Sequence, residues 1–161
     1  NPNLSYTSKF ILQIRQGAIN TYEKYGVLPS ITMSQAIEES GWGRSALATL
    51  ANNLFGIKAD PSWTGKVVYM QTGENFSDVI TAGFRAYDSW ADSIEDHGKF
   101  IAENPRYAQH GFFTATDYKG QALALQNAGY ATLADANGNK IYAKHLCNII
   151  ESYKLHAYDP K

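Results

Sequence analysis

Apolar residues recur at helical spacing at Phe10, Ile11, Ile14, Ala18, Ile19 and Tyr22, and Gly26 follows as a stop, which predicts a first core helix. Ser30 is placed to cap the next one. At about 100° per residue, Met33, Ala36, Ile37 and Ser40 share one face of that second helix, Glu38 lies nearly opposite and Glu39 sits closer to the edge. By this geometry Glu38 is an ordinary solvated charge. Residues 45–51 predict a short third helix before the Asn52-Asn53 turn. From Lys66 to Arg85 the pattern changes: Val67, Val68, Tyr69, Val79 and Ile80 favour strands, and Thr72-Gly73-Glu74-Asn75 has turn chemistry. A small hairpin follows, with Glu74 near its tip or edge. Asp88 or Ser89 then caps a helix that buries Trp90, Ile94, Phe100 and Ile101 and stops before Pro105. Another starts at Thr116 and runs through Leu123 and Leu125 to Gly129. The last covers about 139–153, with Ile141, His145, Leu146, Ile149, Ile150 and Tyr153 as its stripe. The fold class predicted is α+β, mainly α: a helical body facing a small β-hairpin lobe, with a cleft between them.

The 161 residues suit one domain spanning 1–161, with no internal repeat or low-complexity linker. Hydrophobic residues at 44% and charged residues at 18% are the balance of a folded globular chain. The formal net charge of −1 argues against broad electrostatic binding to nucleic acid or an anionic membrane. No apolar run approaches the ~20 residues needed to span a bilayer, and the start Asn1-Pro2-Asn3 lacks a secretory h-region. Cys147, the only cysteine, sits among Leu146, Ile149 and Ile150 and reads as a small core hydrophobe rather than a nucleophile. His97, His110, His145 and His156 have no spacing resembling a metal cage, so neither metal nor cofactor is expected. A monomer is the default.

Chemistry concentrates at Gln35-Ala36-Ile37-Glu38-Glu39-Ser40-Gly41-Trp42-Gly43, where a helix ends with carboxylates, a tryptophan and two glycines. An acid that gives up a proton near neutral pH needs its pKa raised from about 4.3 by desolvation or negative potential. The carbonyls of a last helical turn and an indole excluding water offer both. The bland alternative is an exposed glutamate, a core tryptophan and a glycine stop.

The segment from Pro29 to Lys58, PSITMSQAIEESGWGRSALATLANNLFGIK, resembles the glucosaminidase family of bacterial peptidoglycan hydrolases, glycoside hydrolase family 73. QAIEESGWG and NNLFGIK carry the match, and weaker echoes follow at FRAYDSWADSIEDHGKFI, NPRY and NAGYAT, so the likeness runs from about Ser8 to Tyr153. Glu38 departs from the family pattern. The resemblance implies a lysozyme-like fold and an endo-β-N-acetylglucosaminidase that cuts peptidoglycan glycan strands at the β-1,4 bond between N-acetylglucosamine and N-acetylmuramic acid. It also implies a secreted protein acting at the cell wall, with targeting and wall-binding segments outside this chain.

Carried onto this sequence, the resemblance makes Glu39 the general acid and Glu74, in its TGEN setting, the second carboxylate, which activates water or stabilises charge. Tyr130 in NAGYAT would face the reacting sugar and steady its acetamido group, which offers a second route as an internal nucleophile. Trp42, Phe55 and Tyr107 are groove candidates, and Asn53 is a donor for an acetamido group. Each has a structural alternative: an exposed hairpin charge for Glu74, a packing plug for Tyr130, core burial for the others. Arg85 reads as an ion-pair or framework residue, and Asp78, Asp92, Glu95 and Asp96 as solvated charges or caps. A muramidase or lytic transglycosylase, and from another class a non-catalytic glycan-binding module, remain as alternatives.

Overall fold

The structure, a computed structural model, describes residues 4–73 and 79–161. Its first helix, α1 (Tyr6–Tyr25), is capped by the Ser5 hydroxyl and closed by Gly26 at φ 81°, a left-handed position that suits a residue without Cβ. It inserts Phe10, Ile14 and Ala18 into the core. Helix α2 (Pro29–Ser40) is the axis of the body: every residue from Pro29 to Ile37 is buried, and α1, the helices at Trp90–Glu103, Tyr118–Asn127 and Tyr142–Ser152, and the turn at Leu155–Tyr158 all pack around it. Small side chains at Ser30, Thr32, Ser34 and Ala36 let those neighbours approach closely.

The remaining elements are α3 (Ala46–Leu50), strands β1 (Val67–Gly73) and β2 (Val79–Arg85), α4 (Trp90–Glu103), α5 (Pro105–Gln109), α6 (Tyr118–Asn127), α7 (Tyr142–Ser152) and a 3₁₀ turn at Leu155–Tyr158. The two strands pair antiparallel, Val67 opposite Arg85 and Tyr69 opposite Gly83. The fold is mainly helical with one small sheet among the described residues, as the periodicity predicts.

Ser30 is not the cap of α2; the helix starts one residue earlier on Pro29, and Ser30 hands both its backbone N–H and its hydroxyl to the Asp159 carboxylate, at 2.8 and 2.6 Å. A residue 129 positions away thus satisfies donors that local chemistry would otherwise cap. Asp117, not Thr116, caps α6, with α6 starting at Tyr118, and α7 begins at Tyr142 rather than near residue 139. The intervening chain forms a turn in which Asp135 accepts from the Asn137 and Asn139 amides. Asp96 is not a solvated charge: it accepts from Arg85 Nη1 at 2.9 Å and from the Tyr87 hydroxyl at 2.6 Å. Asp78 lies outside the described residues.

Candidate active site

The turn that ends α2 fixes the position of Glu39. Gly41, Trp42 and Gly43 follow one another at φ 55°, 65° and 77°, a run of left-handed backbone that turns the chain sharply away from the helix. The Ser40 hydroxyl donates to the Ala36 carbonyl at 2.6 Å and accepts from the Gly43 amide at 2.8 Å, which ties the turn to the helix. At Gly43 a Cβ would meet Trp90 at 2.6 Å and Phe10 at 2.8 Å, so glycine is required there by space as well as by φ. Trp42, carried by this turn, packs against Tyr153 (4.8 Å between ring centroids), Tyr6 and Phe10 (6.1 Å each), in an aromatic cluster. It lines neither of the cavities that hold Glu39.

Glu39 borders two concavities. One, of about 350 Å³, is walled by Phe55, Ile57, Tyr107, Tyr130 and Arg106, among others; the other, of about 430 Å³, by Glu38, Thr132, Leu133 and Tyr142. Ala131 borders both, so Glu39 stands where the two halves of a cleft meet. The glutamate side chain is open to the cleft, but the walls crowd its carboxyl. That desolvation is the main cause pushing its pKa up to about 7; the negative charge of Glu38 adds to it, and the Tyr142 hydrogen bond opposes it. The group therefore retains a proton where an ordinary carboxyl has lost it. The water-excluding role that the sequence suggests for Trp42 is filled by the tyrosine-rich wall on the other side.

Three polar contacts around Glu39 were not evident in the sequence. The Tyr142 hydroxyl donates to Glu39 Oε1 at 3.3 Å and itself accepts from Gln35 Nε2 at 3.0 Å, a relay that orients the carboxyl from the far helix. Glu38 is not a free solvated charge: its carboxylate lies 2.6 Å from His145 Nε2 on the rim of the same cleft. The one signal that sequence offered was a tyrosine at the start of the apolar stripe of α7, because a buried phenol needs a polar partner.

Tyr130 is half-buried in the wall, stacked on Tyr142 at 5.9 Å between centroids and borders the same cavity as Glu39. Burial pushes its phenol well above the usual range, with the neighbouring Tyr142 and Glu39 adding to the effect, so it is a donor at any working pH. Phe55 stacks on the buried ring of His97 at 3.9 Å, and Tyr107 is fully buried with its hydroxyl bonded to Arg106 Nη2 at 2.6 Å; both form wall rather than protruding platform. Asn53 faces inward. Its amide N–H groups donate to the Ile57 and Arg85 carbonyls, and its oxygen accepts from the amides of Phe55, Gly56 and Ile57. It has no donor left for a ligand; it ties the Phe55 loop to the foot of β2. The structure thus brings Glu39, Tyr130, Phe55 and Tyr107 together and sets Trp42 and Asn53 apart from them. Glu74 lies outside the described residues. Among the described residues no cluster of His, Cys, Asp and Glu is arranged to hold a metal, and no helix is long and apolar enough to cross a membrane.

An acid with a raised pKa in a tyrosine-lined cleft at the end of a core helix is an arrangement suited to protonating a leaving oxygen. Residues 15–155 match the glucosaminidase family, described as mannosyl-glycoprotein endo-beta-N-acetylglucosaminidase. The chain belongs to the glucosaminidase family. It is 42% identical over 144 residues to the exo-glucosaminidase LytG of Bacillus subtilis, covering 86% of this chain and 48% of that protein. With the peptidoglycan hydrolase FlgJ of Salmonella typhimurium it shares 36% identity over 159 residues, covering 94% and 48%. The chain therefore spans about half the length of these relatives. The catalytic domain of the autolysin Auto from Listeria monocytogenes superposes with a TM-score of 0.82 at 35% identity, covering 98% of this chain and 89% of that one. The fold of that catalytic domain is thus shared along nearly the whole chain.

Proposed function

We propose that this glucosaminidase-family chain is a single catalytic domain that hydrolyses the β-1,4 bond following N-acetylglucosamine in peptidoglycan, with Glu39 as general acid. The observation that carries the reading is the Glu39 carboxyl, crowded at the meeting of two cleft cavities and held protonated to about pH 7. As the glycosidic C–O bond breaks, Glu39 gives its proton to the departing oxygen and the sugar develops oxocarbenium character. Water then adds at the anomeric carbon, and its proton leaves to a base. Two routes supply that step: Glu74 activates the water directly, or the acetamido oxygen of the substrate closes on the anomeric carbon first. Tyr130, whose protonated hydroxyl borders the cleft, suits orienting the acetamido group in either route. The protein acts outside the cell, at the wall, as a monomer and without a cofactor.

Digestion of purified peptidoglycan by wild type and Glu39→Gln, then borohydride reduction and mass spectrometry of the fragment ends, tests this. New reduced N-acetylglucosamine ends from wild type alone support bond and acid together. Reduced muramic ends or anhydromuramic products move the activity to a muramidase or transglycosylase, and equal release by both proteins removes Glu39 from its role. Internal cleavage, our reading, gives fragments of mixed length from the first minutes; the terminal mode named for LytG gives single units from the strand ends.

A further inference from the structure

The cavity that holds Glu39 does not end at its aromatic wall. Asp60 and Phe100 belong both to it and to a second chamber of about 380 Å³ that continues between α4 and the foot of the hairpin. The chemistry changes across that boundary. Around Glu39 the rings of Phe55, Tyr107 and Tyr130 stand with Lys58 and Arg106, whereas the chamber presents Arg85, Asp96, Lys99, Glu103 and the hydroxyls of Ser62 and Thr64, with charges of both signs.

Its floor is rigid. Arg85 is buried, donates to Asp96 at 2.9 Å, Asp60 at 3.2 Å and the Lys58 carbonyl at 3.2 Å, and lies over the Trp63 ring at 4.9 Å. Asp96 is further held by Tyr87. On this fixed floor stand two charges with no ion-pair partner among the described residues, Lys99 and Glu103, both exposed and both lining the chamber. They are four positions apart on α4, in the lysine-first order that is the poorer one for pairing along a helix. A cation and an anion held near each other but not spent on each other suit a ligand that carries both signs.

A neutral glycan has no use for such a pair. In a peptidoglycan strand, the substrate class proposed above, ionised groups sit on the short peptide attached to the lactyl arm of muramic acid, which bears carboxylates and, where it is not cross-linked, an ammonium group. We propose that the chamber bounded by Asp60, Lys99 and Glu103 receives the peptide stem, with Lys99 facing a stem carboxylate and Glu103 facing its ammonium. The proposal rests on the glucosaminidase reading, and it makes the enzyme a reader of stems as well as of sugars.

The test compares kcat/KM on glycan strands bearing uncross-linked stems with that on the same strands stripped of their stems by an amidase. For wild type the ratio of the two should exceed about fivefold, the scale of a single exposed charge contact. Lys99→Glu and Glu103→Lys, both at exposed positions with melting monitored, should each bring the ratio towards one. A wild-type ratio of one, or a ratio that neither charge reversal changes, overturns the proposal while leaving the glucosaminidase reading in place. Failure of wild type to cut either substrate overturns the functional reading and the stem chamber with it.

Discussion

Glu39 accepts a hydrogen bond from Tyr142 at 3.3 Å, and Asp96 accepts one from Tyr87 at 2.6 Å, yet the two carboxylates have different surroundings. Beside Asp96 stands the Arg85 guanidinium, 2.9 Å away, which also reaches Asp60 at 3.2 Å, so each carboxylate there touches a cation. Beside Glu39 the nearest charged group is another carboxylate, Glu38, and the pKa rises to about 7. A tyrosine contact alone therefore does not decide what a carboxylate does. A cationic partner makes it framework; crowding without such a partner leaves it with a proton to give.

The largest test of this contrast is Glu39→Gln, which should lower turnover on peptidoglycan by about 10²–10⁴, the usual worth of a general acid, with the circular dichroism spectrum unchanged. Arg85→Met should act on the other side: it strands Asp96 in a largely enclosed site and should cost about 3–5 kcal/mol in urea unfolding, with activity on stem-free glycan lost only as the folded fraction falls. Glu39→Gln should also change the pH dependence of stability. The wild-type group binds a proton more tightly folded than unfolded, so its contribution is full below the ordinary glutamate value of 4.5 and is lost as pH rises through about 7. The variant should therefore gain on wild type in melting temperature between those limits, and keep the gain above them.

Smaller effects should come from the groups that tune the acid. Tyr142→Phe removes the contact that lowers the Glu39 pKa, so the alkaline limb of the kcat profile should move to higher pH, with turnover down by about fivefold from lost orientation of roughly 1 kcal/mol. Glu38→Gln removes a charge that raises it, so that limb should move the other way, while turnover at the optimum changes least of the set because the Tyr142 contact with Glu39 is left in place. A pH–rate profile for each variant checks both signs; shifts in the same direction would break the account.

The helical body was legible because its stripes are long and periodic: α1 and α4 carry core residues at the predicted positions, and the glycine at 26 stops the helix where a left-handed residue is needed. The placement of Glu39 in the last turn of α2 was legible for the same reason. What local pattern did not carry was the destination of side chains whose partners lie far along the chain. Ser30 has the composition of a cap but serves Asp159; Asn53 has the composition of a ligand donor but is consumed by the backbone of its own loop and of β2. Trp42 lies three residues after Glu39, yet its positive φ accompanies packing against Tyr6, Phe10 and Tyr153 instead of the cleft. Tyr142 and His145 reach the site from a helix more than 100 residues away, which no window of sequence reveals.

The Asp159 contact with Ser30 also bears on the order in which the enzyme is assembled. The helix that carries Glu39 is synthesised before its partner, and the carboxylate that completes its first turn is added 129 residues later. Until then the two donors that become buried at the helix start are left to water. The nascent chain thus completes the start of the Glu39-bearing helix only when the far segment has emerged and docked, which makes that helix depend on the last residues of the fold.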